Sequence, residues 1–127
     1  MNVNEYSPLA LAYLGAAYYE LLVRAHLLGQ GNMPTSELNK RAKEYVTAVK
    51  QSGMVDTLLP HLSETELAAY KRGRNAHSAH TPKSAAAVQY RRATGLESLF
   101  GYLYVKGDTE RALSLFKLLV IGGNENV

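Results

Sequence analysis

The feature that most constrains the fold is a run of apolar residues with helical spacing near the N-terminus. Ser7 and Pro8 form a typical helix start, a hydroxyl cap followed by proline in the first turn. Gly29 provides a stop. We therefore expect a largely buried helix over about residues 8–28. Its large apolar side chains recur at three- and four-residue steps, at Leu11, Leu14, Tyr18, Leu21, Leu22 and Ala25.

Similar spacing and caps predict further helices, and no segment has the alternation of a β-strand. Ser63 followed by Glu66 has the capping-box pattern, while Pro60 interrupts the helix before it. Gly107 and the pair Gly122-Gly123 are expected to end the last two helices. The segment 76–84 is expected to be an exposed loop. The fold class is therefore all-α, with helices predicted at about 36–51, 55–62, 64–75, 85–105 and 109–121.

Length and composition exclude several classes of protein. The chain has 127 residues, 46% of them hydrophobic, which suits one domain with its own core. It has no cysteine, so disulfide frameworks and thiolate–zinc sites are excluded. No basic segment precedes the first apolar stretch, and no apolar run is long enough for a membrane span. We expect a cytoplasmic protein without a membrane partner.

Positive charge is concentrated in one segment. No Asp or Glu occurs between Glu66 and Glu97. Such a cluster creates a local positive potential that attracts polyanions, although a solvated basic loop without a partner is the alternative. His77 and His80 lie in the same segment, but no third ligand is near them in sequence, so we do not expect a metal site there. The basic residues are Lys71, Arg72, Arg74, Lys83, Arg91 and Arg92.

Glu97 is an unusual residue for an apolar helix. Ala93 and Gly101 lie one turn to either side of it, and such small residues allow a second helix to approach closely. Glu97 would then point into a narrow crevice, where a carboxylate is costly unless it is paired, hydrogen-bonded or bound to a metal. The alternative is a glutamate at the rim that forms a salt bridge with Arg91 or Arg92. The pattern leaves both hypotheses open.

The first helix has only small residues around Gly15 and Ala16. By itself this pattern favours close helix packing over a binding function. Glu20 lies one turn after Ala16 and is either a functional acid or the partner of Arg24, four residues further on.

Three segments resemble signatures of the Mini-ribonuclease III family. The first helix contains LALAYLGAAYYELLVR, where the family has Leu-Ala-Tyr-(Ile/Val/Leu)-Gly-Asp-Ala followed by an aromatic residue and Glu. The basic segment KRGRNAHSAHTPK is similar to the family's loop Lys-Arg-Gly-Arg-Asn-Ala-Lys. The segment YRRATGLESLFGYLY is similar to its motif Tyr-Arg-x-x-Thr-x-x-Glu-x-Leu-x-Gly-Tyr. The three occur in the family's order over residues 9–105.

The resemblance implies an all-α, ribonuclease III-like endonuclease bundle, with residues 1–127 as a single catalytic domain. It implies a homodimer that cuts double-stranded RNA with Mg²⁺ and acts in 23S ribosomal RNA maturation; DNA is not an expected substrate. Glu97 would be catalytic and a metal ligand, and Glu20 a residue that orients metal-bound water. Phosphates would be bound mostly by shape and charge. The expected RNA-binding residues are Lys71, Arg72, Arg74, Asn75, Lys83, Tyr90 and Arg91.

One residue departs from the family pattern. Where the signature has a catalytic, metal-binding Asp, this chain has Ala16. Larger ribonucleases III carry two more carboxylates, at the positions of Ala12 and Thr94, which the Mini family also lacks. Glu97 then has no second family carboxylate with which to bind Mg²⁺, so we expect this chain to be deficient in cleavage. The intact surroundings favour an engineered replacement; the alternative is a natural, non-catalytic RNA-binding pseudo-nuclease.

Overall fold

The structure, a computed structural model, describes residues 2–76 and 85–124. These residues form α-helices joined by short turns, and none of them lies in a β-strand. The all-α prediction is therefore confirmed. The helices are α1 (Pro8–Gly29), α2 (Thr35–Val46), α3 (Ala48–Leu58), α4 (Glu64–Asn75), α5 (Ala85–Lys106) and α6 (Thr109–Asn124), with short 3₁₀ helices at Val3–Glu5 and Leu59–His61.

Helix α1 begins as predicted, because the Ser7 hydroxyl accepts a hydrogen bond from the backbone amide of Ala10. Its buried face differs from the predicted one. Leu21 is 61% exposed and Ala25 is also exposed. The buried residues instead recur every four positions, and the small one among them, Gly15, lies where α1 meets α5. They are Leu11, Gly15, Tyr19, Val23 and Leu27.

The region predicted as one helix over 36–51 and a short helix over 55–62 is divided differently. The break comes at Thr47, whose backbone is extended and whose hydroxyl caps α3 by accepting from the amide of Lys50. The predicted cap of α2 at Thr35 or Ser36 is also wrong, because Pro34 holds the N-cap position without a side-chain cap. Pro60 lies in the 3₁₀ turn that follows α3.

The later helix boundaries are mostly as predicted. Ser63 and Glu66 form the expected capping box at the start of α4. Helix α5 ends before Gly107, whose positive φ of 87° suits glycine. Helix α6 continues through the glycines expected to end it and reaches Asn124. The predicted loop 76–84 falls almost entirely outside the described residues.

Helix α5 is the centre of the bundle and packs against α1, α3, α4 and α6. Its core side chains are fully buried, whereas Glu97 on the same helix is only half-buried. Among the helices that the structure describes, none is long and apolar enough to cross a membrane. The fully buried side chains of α5 include Leu96, Leu99, Phe100 and Leu103.

A candidate active-site groove between α1 and α5

Helices α1 and α5 touch through their backbones at a pair of glycines. A Cβ atom on Gly15 would overlap the carbonyl oxygen of Glu97, and one on Gly101 would overlap the carbonyl oxygen of Leu11. Only glycine permits this approach, because a backbone carbonyl cannot rotate away as a side chain can. The close packing expected from the small residues of both helices is thus present, and it brings the backbone of Glu97 against α1.

Beside this contact lies an open groove of about 530 Å³. Ala16 from α1 and Glu97 from α5 both line it, so the two positions that the family resemblance singled out lie in one site. Glu20, Tyr90 and Thr94 line it as well. The remaining lining residues come from α1 and are largely apolar: Leu9, Ala12, Tyr13, Leu14 and Ala17.

Glu97 is half-buried in this groove. Burial raises the pKa of its carboxyl group, while a hydrogen bond from the side chain of Gln51 on α3 lowers that pKa and partly offsets the effect. The rim hypothesis named Arg91 or Arg92 as the partner of Glu97. Of these two, Arg92 instead binds Asp56 on α3 at 2.5 Å. The half-buried position of Glu97 in the groove agrees with the crevice hypothesis.

Glu20 forms an ion pair within its own helix. Its carboxylate lies 2.9 Å from the guanidinium of Arg24, and both side chains are well exposed. This is the pairing that the four-residue spacing predicts. Glu20 also lines the groove. A water molecule or a cation bound there would compete with Arg24 for its carboxylate.

These donors do not make a magnesium site by themselves. Mg²⁺ prefers six oxygen ligands and is commonly held by one or two carboxylates together with water and substrate phosphate. Of the groove's two acids, Glu97 is half-buried beside a neutral amide and Glu20 is paired with Arg24. Within residues 2–76 and 85–124, no cluster of three or more His, Asp or Glu suits a metal ion. Ala16, at the position that the family resemblance pairs with Glu97, contributes only a methyl group to the groove.

The predicted RNA-binding residues of α4 lie near its C-terminal end. Lys71, Arg72 and Asn75 are exposed. Arg74 stacks over the ring of Tyr70 at 5.7 Å and donates to Asn75. These side chains make a basic surface at one end of α4. Arg72 also lines a small cavity of about 200 Å³ at the start of α1, separate from the groove.

On α5, Tyr90 is 57% exposed and lines the groove, whereas Arg91 is partly buried. Lys83 lies outside the described residues, as do His77 and His80. The structure therefore places Tyr90 at the groove with Glu97 and places Lys71 on a different helix.

Two residues of this region are not identified by the sequence patterns. Gln51 stands at the end of a predicted helix, yet it is buried and reaches Glu97. Tyr13 is part of the first family-like segment and is given no role of its own there, but its side chain is 85% exposed and lines the groove. A signal exists for Tyr13, since it lies off the buried face of α1. No sequence signal exists for Gln51, because its role depends on how α3 packs against α5.

Comparison with known proteins shows similarity to ribonucleases of one family across most of the chain. Residues 9–108 match the family described as the ribonuclease III domain. A Mini-ribonuclease 3 of Desulfitobacterium hafniense is 49% identical over 114 residues, which cover 90% of this chain and 72% of that protein. A Mini-ribonuclease 3 of Brevibacillus brevis is 46% identical over 108 residues, covering 85% and 81%. A crystal structure of a Fusobacterium nucleatum protein has a TM-score of 0.80 at 31% identity and covers 93% of this chain and 94% of its own.

Proposed function

The chain belongs to the Mini-ribonuclease 3 group of the ribonuclease III family, and from that premise we propose that it binds double-stranded RNA as a homodimer but cleaves it negligibly. Its family is one of endoribonucleases. The observation that carries the proposal is the shared groove of Ala16 and Glu97, because the position where the family has Asp lines the groove with Glu97 and offers only a methyl group.

The chemistry of the family explains why this one position matters. Mg²⁺, when bound, activates water and stabilises charge on the attacked phosphate. This chain retains Glu97 but has no second unpaired carboxylate among the described residues that line the groove. We therefore propose that magnesium binding is weak and that the remaining function is to bind the duplex.

The basic end of α4 and the exposed ring of Tyr90 support RNA binding. Lys71 and Arg72 are exposed and able to follow a phosphate backbone, which in duplex RNA is recognised by shape and charge. The proposed substrate of the family scaffold is a ribosomal RNA precursor, the 23S precursor in the first place. A cytoplasmic location and a single catalytic domain over residues 1–127 belong to the same proposal.

A homodimer accounts for three apolar residues that α1 leaves exposed, two of which, Leu9 and Tyr13, line the groove. Leu9 is 48% exposed, Tyr13 85% and Leu21 61%, and the three follow each other at multiples of four residues along one helix. Such a stripe is unusual on a surface that stays in water. A second copy covering it would place two grooves near one duplex, one for each RNA strand.

Restoring the missing carboxylate tests the proposed function. We expect Ala16→Asp to cleave duplex RNA in millimolar Mg²⁺ and the parent chain to cleave it at least about a hundredfold more slowly, because metal-site chemistry depends on paired ligands. The measurement is a gel assay on a labelled duplex. Ala17→Asp is the matched control: it adds the same charge to the same groove at a position where the family pattern has Ala, and it should stay inactive.

Two outcomes of this assay separate the alternatives. If Ala16→Asp binds the duplex but gains no cleavage, the chain is a natural non-catalytic RNA-binding protein. If neither variant binds duplex RNA at any salt concentration, the proposed function itself is wrong. Reading the source gene at codon 16 tests separately whether alanine is the native residue.

The basic surface predicts a specific dependence on salt. Replacing Lys71 or Arg72 by Ala should weaken duplex binding similarly for different RNA sequences, and each change should lower the slope of log affinity against log salt by about 1. Fluorescence anisotropy over a salt series measures this slope. Lys50→Ala is the control, because Lys50 belongs to α3 and is paired with Glu44. An unchanged slope in both α4 variants would place the RNA elsewhere.

A further inference from the structure

Ser98 carries a buried hydroxyl group on the central helix α5. The residue is only 1% exposed, and none of the residues that the structure describes forms a hydrogen bond with its Oγ atom. Burying a hydroxyl group without a hydrogen bond is unfavourable, and buried polar groups in native proteins nearly always have a partner. The Ser98 hydroxyl therefore indicates a partner that is not part of the described chain.

The packing of α4 on α5 explains why this residue is small, but not why it is a serine. A Cβ atom on Gly73 of α4 would overlap the Cβ atom of Ser98, so the two helices touch closely at this point. Alanine at position 98 would meet the same steric requirement and would bury no unpaired hydroxyl group. The hydroxyl group needs an explanation other than packing.

Ser98 lines a cavity of about 200 Å³ at the start of α1. This volume is larger than a single water molecule requires. The other polar side chains that line the cavity are Arg72 from α4 and Asn4 and Tyr6 from the segment before α1, and all of them can donate hydrogen bonds. No Asp or Glu is among the described residues that line it. The cavity thus offers donors and one positive charge, which are the features that bind an anion.

Arg72 supplies the charge of this cavity and is not neutralised by another residue. Its side chain is exposed and has no ion pair or hydrogen bond within residues 2–76 and 85–124. Arg74 differs from it, because Arg74 stacks over Tyr70 and donates to Asn75. A guanidinium group presents a fixed set of donors that matches the oxygens of a phosphate group.

The start of α1 contributes to the same cavity. Helix α1 is 22 residues long, and Pro8 in its first turn is among the lining residues. The N-terminal end of a helix carries a partial positive charge and favours anions, phosphate groups in particular. Three independent features therefore favour an anion here: the helix end, the free guanidinium group of Arg72 and the unpaired hydroxyl group of Ser98.

From these features we propose that the cavity binds a phosphate group, with Arg72 supplying the charge and the Ser98 hydroxyl donating a hydrogen bond from the buried side. Two sources offer this chemistry, a backbone phosphate of duplex RNA and free phosphate. The site shares no lining residue with the α1–α5 groove. Phosphate binding does not depend on the proposed function; only the assignment of the phosphate to RNA rests on it.

Inorganic phosphate tests the site without RNA. In the chain as it exists, millimolar phosphate should shift the backbone amide signals of Gly73 and Ser98 saturably in nuclear magnetic resonance, at an ionic strength held constant with chloride. Arg72→Gln and Ser98→Ala should each raise the dissociation constant about tenfold, because each removes a hydrogen bond to a charged group. Arg41→Gln is the control, since Arg41 is paired with Glu37 on α2. Equal shifts in Ser98→Ala and the parent would overturn the site.

Thermal stability separates a ligand-binding hydroxyl from a structural one. Without phosphate, Ser98→Ala should unfold at the same temperature as the parent or at a higher one, because its hydroxyl has no partner to lose. Phosphate should raise the unfolding temperature of the parent more than that of Ser98→Ala. Ser52→Ala, at a buried serine of α3 outside the cavity, should respond to phosphate as the parent does. An equal loss of stability in Ser98→Ala with and without phosphate would overturn the proposal.

Duplex RNA distinguishes the two sources of phosphate. If a backbone phosphate fills the site, Ser98→Ala should weaken duplex binding about tenfold and leave the slope of log affinity against log salt unchanged, because a neutral hydroxyl group releases no counterions. Ser52→Ala should change neither quantity. Loss of phosphate binding in Ser98→Ala with unchanged affinity for RNA would assign the site to free phosphate. A parent chain that binds no duplex RNA would contradict the proposed function, and the phosphate titration would still decide the site.

Discussion

At the scale of single residues, Gly15 sets the distance between the two walls of the groove. A methyl group there would overlap the backbone carbonyl of Glu97, and backbone cannot move without shifting a whole helix. We expect Gly15→Ala to lower the free energy of unfolding by about 3 kcal/mol, the upper range for overpacked sites. Urea denaturation measures this change.

Gly29 provides the matched control for that substitution. It belongs to the same helix, and a Cβ atom on it would meet nothing within 4 Å. Gly29→Ala should be neutral or stabilise the chain by up to about 1 kcal/mol, because alanine favours the helix. Equal losses in both variants would show that Gly15 acts through helix propensity rather than through the contact with α5.

The residues that could be predicted are those whose type conflicts with their own helix. Gly15, Gly101 and Glu97 all stand out in apolar helices, and the structure brings all three to one contact. Gln51 does not stand out, because a glutamine near a predicted helix end is ordinary. Its burial arises from the packing of α3 on α5, which no local pattern encodes.

At the scale of helices, some boundaries are predictable from a local capping pattern and others are not. The capping box of Ser63 and Glu66 starts α4 as expected. The break at Thr47 is not predicted by the sequence, although the Thr47 hydroxyl also caps a helix, because the surrounding residues keep a helical apolar pattern through it. The glycines near 122 are expected to end α6, but glycine only weakens a helix and does not by itself end one, and α6 continues to Asn124.

Glu66 and Arg111 join α4 to α6, and this pair predicts how stability depends on pH. The Arg111 hydrogen bond lowers the pKa of the Glu66 carboxyl, whose side chain is only 8% exposed. The native state thus binds its proton at a lower pH than the unfolded chain. The pair's contribution is complete above the unfolded pKa of about 4.3 and is lost as pH falls through the native pKa.

We therefore expect Glu66→Gln to lower the free energy of unfolding by about 2 kcal/mol at neutral pH, and this difference to shrink below about pH 4. Chemical denaturation at several pH values measures it. Glu37→Gln is the control, because its ion pair with Arg41 is exposed and should contribute only about 0.4 kcal/mol. A difference for Glu66→Gln that grows as the pH falls would contradict the assigned direction of the pKa.

At the scale of the whole molecule, the arrangement follows from α5 as the central helix. Four helices pack around it, so its one half-buried acid lies where α1 and α3 both reach it. The apolar composition of α5 made its burial predictable. The identity of its neighbours was not predictable from spacing, because any amphipathic helix can cover any apolar face; the family resemblance supplied only the pairing with α1.

The exposed stripe of α1 makes the dimer testable independently of RNA. Tyr13 is 85% exposed beside the groove, and its ring would be buried if a second copy covered α1. We expect Tyr13→Glu to convert a dimer into a monomer in analytical ultracentrifugation, because two buried and unpaired carboxylates at a symmetric contact are strongly unfavourable. Leu113→Glu is the control, since Leu113 is 43% exposed on α6 and lies outside the groove.

The same Tyr13→Glu chain should lose most of its affinity for duplex RNA, because a monomer presents one basic surface where a dimer presents two. A parent chain that sediments as a monomer at all concentrations would contradict the dimer and leave the α1–α5 groove unaffected.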